Sequence, residues 1–152
     1  MPGACPTTRR SWSINSSLWS REPIAADPVR RVLSGQSRGG QFALHAGLTD
    51  PDMFWGYIAS NPAIHRNLPF FLRYHTPSGR EPARLFVSSA EHDLPALREA
   101  ALSWSEHWAG QSSAGWDIAF IALNGETHAS AAPAAFRRGL DWRFSDPRPP
   151  GQ

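Results

Sequence analysis

The sequence predicts an α/β domain: a mostly parallel sheet of about four strands flanked by helices. Two observations lead there. Short apolar runs rich in β-branched and aromatic residues alternate with segments of helical spacing, an order that builds βαβ units and covers both faces of a sheet. The first strand-to-helix junction, Val32-Leu33-Ser34-Gly35-Gln36-Ser37-Arg38-Gly39-Gly40-Gln41-Phe42-Ala43-Leu44, carries a Gly-x-Ser-x-Gly turn between its two halves.

Residues 1–22 mix Pro, Ser, Thr and Arg around isolated Trp12, Leu18 and Trp19, sustain no period, and read as an irregular leader. The domain proper spans 23–146, and 147–152 form a Pro-rich tail. Ile24-Ala25-Ala26-Asp27-Pro28 turns the chain into a strand from Arg31 to Ser34. The helix after Ser37 places Phe42 and Ala46 four apart beside Ala43 and Leu44, and Asp50-Pro51-Asp52 stops it. Phe54 to Ser60 is a second buried strand, ended by Asn61-Pro62. Residues 61–82 hold His65, Phe70, Phe71, Tyr74 and His75, and form a loop or short helix beyond a strand end, where substrate-facing segments usually lie.

Arg84 to Ser89 is the third strand. Leu94, Leu97, Ala101, Trp104 and Trp108 then step by three and four, the core-facing stripe of an amphipathic helix. Trp116 to Leu123 is the fourth strand, and Asn124-Gly125-Glu126-Thr127-His128 a polar turn at its far end. A last helix starts near Ala131, with Pro133 in its first turn and Phe136, Leu140 and Phe144 on one face.

Composition narrows the function classes. At 152 residues a single domain with a real core is expected, and 41% hydrophobic with 18% charged residues suits a globular protein. No apolar run approaches the roughly 20 residues of a membrane span. The fifteen basic residues are all arginine, scattered along the chain, with a net charge of +2. A nucleic-acid footprint would cluster them on one face, so no nucleic-acid partner is expected. The lone Cys5 excludes an internal disulfide. Arg9-Arg10 has no apolar segment after it, which argues against a secretory signal and for a cytoplasmic location. The histidines show no metal-ligand spacing such as His-Glu-x-x-His, so neither metal nor cofactor is expected.

The loops at the C-terminal ends of parallel strands share one rim, and ligands bind there. Ser37 follows the first strand, Glu91-His92-Asp93 the third, and His128 the fourth. A serine hydroxyl needs a base to become a nucleophile. His128 is the candidate base, and a carboxylate on its other ring nitrogen would fix the tautomer; Asp93 is favoured, with Glu91 as the alternative. Gly-x-Ser-x-Gly alone arises by chance in roughly one chain in twenty of this length. The chain order Ser, Asp/Glu, His on one rim strengthens it, since that order belongs to the α/β-hydrolases. Gly35 and Gly39 read as positions where a Cβ would collide or φ turn positive. The backbone N–H of Arg38, at a helix N-terminus, is the candidate oxyanion donor. Phe70, Phe71 and Tyr74 are candidates for one wall of a substrate pocket. A bound phosphate at Gly35–Gly40 is a weaker reading, because the loop lacks a lysine.

From about Ile24 to Phe144 the chain resembles the esterase branch of the α/β-hydrolases that contains the enterochelin (siderophore trilactone) esterases. The matching stretches are Ala26-Asp27-Pro28 leading into Arg31 to Gly40, Pro51-Asp52-Met53-Phe54, and Gly125-Glu126-Thr127-His128 followed by Ala135-Phe136-Arg137-Arg138-Gly139-Leu140. The resemblance implies a serine esterase acting on a small-molecule ester, with Ser37 as nucleophile, His128 as base and the Asp93 region as acid. Ser88-Ser89-Ala90 stands where relatives often carry a glycine. It also implies that the chain corresponds to the C-terminal half of such a fold. Three or four strands would precede the elbow strand, and one of their loops would supply the second oxyanion N–H. Without them the elbow strand becomes an apolar edge, a place where a second copy could pair, and the alternative to an enzyme is a catalytically weak fragment that serves as a binding module.

Overall fold

A computed structural model describes residues 27–73, 83–109, 111 and 115–145. The leader, the tail and Tyr74 lie outside this set. The elements run in the order β1 (Val32–Gln36), α1 (Arg38–Thr49), β2 (Gly56–Ser60), α2 (Leu68–Arg73), β3 (Ala83–His92), α3 (Pro95–Ala109), β4 (Trp116–Thr127) and α4 (Ala131–Phe144). The four strands form one sheet in the order β1-β2-β3-β4, and every neighbouring pair is parallel. Among the described residues, β1 and β4 are its edges.

Side chains alternate across each strand and thereby sort the helices onto the two faces. Leu33, Tyr57, Ala59, Leu85, Val87, Ile118 and Phe120 point to one side, where they meet Ala43, Leu44 and Leu48 of α1, Phe71 of α2 and Trp104 and Trp108 of α3. This is the main core. The opposite face packs against α4, whose Ala131 and Ala135 cover Ala90 and Leu123. Gly139 follows one turn later, where a Cβ would lie 2.8 Å from two carbons of Ile58. Small residues therefore let α4 settle directly on the strands.

That packing overturns the face expected for α4 and moves one expected residue each of α1 and α3 to the outside, while Ala43, Leu44 and Ala46 of α1 and Leu97, Ala101, Trp104 and Trp108 of α3 are buried as expected. On α4 the buried stripe is Ala131, Ala135, Gly139 and Arg143, while Phe136 and Phe144 are exposed. Phe42 on α1 is 60% exposed, and Leu94 lies just before α3 and is 61% exposed. On α4 the alanines and the glycine of the buried stripe allow a closer backbone approach than a large side chain would. Arg143 is buried by its partners: its Nε donates to the Trp55 carbonyl at 2.9 Å and its guanidinium lies 3.1 Å from the Trp55 ring centroid.

The strands also run further than the sequence suggested. β3 continues to His92 and β4 to Thr127, so residues 124–127, expected as a polar turn, complete a strand paired as His92↔Thr127. A register shift between Ala90 and His92 accommodates the extension. Glu91 at that shift accepts the N–H of Gly125 at 2.7 Å, and Gly125 takes φ 72°.

Candidate active site

The Ser37 turn carries its strain on the serine itself. Ser37 has φ 58° and ψ −113°, a conformation L residues rarely adopt. It is held by backbone bonds: its N–H donates to the Ser60 carbonyl at 2.9 Å, and its carbonyl accepts from Gln41 at 2.8 Å and Ala63 at 3.0 Å. Ser37 occupies the N-cap position of α1, yet its hydroxyl makes no capping bond. A serine at this position ordinarily spends its oxygen on the helix; here that oxygen stays available.

The glycines around the serine have different jobs. A Cβ on Gly35 would lie 2.1 Å from the Gly39 carbonyl oxygen, and one on Gly40 would lie 2.7 Å from the Ser60 carbonyl oxygen. A Cβ on Gly39 would meet nothing within 4 Å. Neither Gly35 nor Gly39 has positive φ. The expectation for Gly39 is thus corrected: its backbone is the obstacle that requires Gly35, and Gly40 is the second crowded position.

Asp93 lies just beyond β3, buried, with its Oδ1 accepting the Leu94 N–H at 2.6 Å and lying 2.7 Å from His128 Nδ1. Glu91 points elsewhere, to Gly125. His128 is the first residue after β4 and its side chain is about one-third exposed (31%), so the ring reaches both the buried carboxylate and solvent. Ser130 steadies its loop by accepting the Thr127 N–H at 2.9 Å and donating to Glu126. Among the described residues, His128 is hydrogen-bonded to Asp93, and neither it nor Asp93 is hydrogen-bonded to Ser37.

Two residues without a functional signature in the sequence connect the parts. Gln36, next to the serine, donates from Nε2 to the His128 carbonyl. Asn61, buried at the end of β2 with φ 44°, donates from Nδ2 to the same carbonyl at 3.4 Å and accepts the Ala90 N–H on Oδ1 at 2.7 Å. An Asn-Pro pair after a strand signals only a turn, which is why Asn61 escaped notice.

Of the three residues expected to form an aromatic wall, Tyr74 lies outside the described residues. Phe71 is buried in the main core, and its carbonyl accepts from Trp108 Nε1 at 3.1 Å. Contrary to the expectation from sequence, Phe71 therefore has no surface to offer a substrate. Phe70 remains at the surface, stacked on His45 at a centroid distance of 5.4 Å. The described residues contain no group of three or more His, Cys, Asp or Glu side chains placed to hold a metal ion, and no helix long and apolar enough to cross a membrane.

The family described as "Putative esterase" matches residues 18–131. Ferri-bacillibactin esterase BesA of Bacillus subtilis is 32% identical over 123 residues, covering 75% of this chain and 43% of the relative. Siderophore triacetylfusarinine C esterase of Aspergillus fumigatus is 34% identical over 105 residues, covering 65% of this chain and 33% of that protein. The crystal structure of the BES protein from Bacillus cereus superimposes with a TM-score of 0.59 at 26% identity, over 74% of this chain and 45% of that one. The chain therefore spans less than half the length of the curated relatives it matches.

Proposed function

The chain belongs to this esterase family of the α/β-hydrolases, and from that premise we propose that it is the nucleophile-, acid- and base-bearing part of a serine hydrolase that cleaves carboxylic esters. The observation that carries the reading is the 2.7 Å contact between His128 Nδ1 and buried Asp93, on the same sheet rim as a serine held at φ 58°. In this reading Ser37 Oγ attacks the ester carbonyl carbon while His128 Nε2 takes its proton. Asp93 holds the Nδ1–H and stabilises the imidazolium that results. The Arg38 N–H, at the positive end of α1, faces the oxyanion. Collapse of the tetrahedral intermediate expels the alcohol, which receives the proton from His128 and leaves an acyl group on Ser37. Water, deprotonated by His128, then releases the acid and restores the serine.

The names of the relatives suggest the substrate class: esters of siderophores or of their iron complexes. Phe70, at the surface of α2 and stacked on His45, would contribute to a wall that meets an aryl or acyl group. The missing Ser37–His128 hydrogen bond favours a second reading, a weakly active domain that binds such esters without turning them over. One experiment separates the two: labelling with a fluorophosphonate probe and hydrolysis of p-nitrophenyl acetate, for the wild type and Ser37→Ala. The hydrolase reading expects Ser37-dependent labelling and a loss of about 10³-fold or more in turnover for the variant. Equal rates in the two proteins would refute it.

A further inference from the structure

Three loops must meet for the proposed chemistry: the turn of Ser37, the turn of Asp93 and the loop of His128. All three are bonded to one corner of the chain, Ser60-Asn61. The Ser60 carbonyl accepts the Ser37 N–H at 2.9 Å. The Asn61 N–H donates to the Ser88 carbonyl at 2.8 Å, and its Oδ1 accepts from Ala90, three residues before Asp93. Its Nδ2 reaches the His128 carbonyl, where it is joined by Gln36, the last residue of β1.

Gln36, Ser60 and Ser88 occupy one register row across β1, β2 and β3. The hydroxyls of Ser60 and Ser88 are buried there without hydrogen-bond partners, as is Gln36 Oε1. The Gln36 amide is therefore spent on the His128 carbonyl and on none of its neighbours in the row. Asn61 is 1% exposed and sits in the left-handed region directly before Pro62, a costly place for a residue with a Cβ. Asparagine is among the few side chains that tolerate this φ, and the conformation turns its amide toward both β3 and the His128 loop.

We propose that Asn61 and Gln36 are positioning residues that grip the main-chain carbonyl of His128 and so set the imidazole relative to Ser37. The inference rests on the hydrolase reading of Ser37, Asp93 and His128. Neither amide touches a substrate or takes a proton. Asp93 orients the imidazole through its side chain, and the two amides fix the backbone from which that side chain hangs.

The test uses the full chain with ¹⁵N-labelled histidine, comparing wild type, Gln36→Met, Asn61→Asp and, as a control from the same row, Ser88→Ala. Gln36→Met keeps side-chain volume while removing the donor. Asn61→Asp keeps the acceptor for Ala90 and puts an oxygen in place of the donor. The Nδ1–H proton signal of His128 is followed by NMR, and fluorophosphonate labelling of Ser37 is followed as a function of probe concentration. For Gln36→Met we expect that signal to shift or broaden and the maximal labelling rate to fall about tenfold or more. The half-saturating probe concentration stays unchanged and Tm moves by less than about 2 °C. Ser88→Ala changes none of these. Should Asn61→Asp fail to fold, Gln36→Met decides alone. An unaltered His128 signal in Gln36→Met overturns the proposal. A wild type that is never labelled sinks the hydrolase reading instead, while the His128 signal still decides whether the amides position the loop.

Discussion

Replacing Gly35 with alanine places a methyl group 2.1 Å from the Gly39 carbonyl oxygen, 2.2 Å from its carbon and 2.8 Å from the Gly40 nitrogen. Every obstacle is backbone in the first turn of α1, so no side chain can swing aside. Reaching even the 3.0 Å that real Cβ atoms respect requires about 0.9 Å of movement between strand and helix. Overpacking of this kind costs about 1–3 kcal/mol, and the upper end is expected because α1 is anchored by its buried Ala43, Leu44 and Leu48. The same substitution at Gly39 meets nothing and should stabilise the chain by about 0.4–1 kcal/mol, through lost freedom in the unfolded state. Urea denaturation of wild type and both variants measures the two quantities. A Gly35→Ala protein as stable as wild type, or a Gly39→Ala protein weaker by more than about 1 kcal/mol, would refute the reasoning.

Asp93→Asn should lower fluorophosphonate labelling of Ser37 by about 10³–10⁴-fold, while Glu91→Gln, whose partner is the Gly125 N–H, should stay within about threefold of wild type; a reversed order would move the acid to Glu91. Gly139→Ala drives a methyl group into Ile58 and should cost about 1–2 kcal/mol, part of which Ile58→Val recovers in the double variant; additive denaturation energies would show that the two side chains do not collide. Phe136→Ser, on the outward face of α4, should leave stability within about 0.5 kcal/mol of wild type in the same assay.

What the sequence reveals here depends on whether the deciding partner is local. The alternation of apolar runs and helical stripes is local, and it places all four strands and three of the four helices. The chain order of Ser37, Asp93 and His128 needs only the rule that parallel strands end on a common rim. The extension of β4 through Thr127 is different, because residues 124–127 become strand only when β3, shifted in register at Glu91, lies beside them. Phe42 of α1 and Phe136 and Phe144 of α4, expected inside, lie outside for a related reason. Large apolar residues dominate the periodic signal, yet alanines and glycines are what allow a helix to rest on a sheet, as Gly139 over Ile58 illustrates. Asn61 carries no local signature beyond that of a turn. Its bonds run to Ser88, Ala90 and His128, each distant in sequence and adjacent only after the sheet has formed.

The long β3–β4 pair has a kinetic consequence. Asp93 and His128 leave the ends of two strands that are neighbours in the sheet, and Glu91 ties the pair together again at Gly125. Asp93 and His128 therefore belong to one cooperative opening unit, whereas Ser37 follows β1, at the other edge of the described sheet. Amide hydrogens in β1 should exchange with solvent sooner than those of β3. Warming would then separate Ser37 from an Asp93–His128 pair that is still assembled, and the reactivity proposed for Ser37 would fade before the sheet as a whole melts.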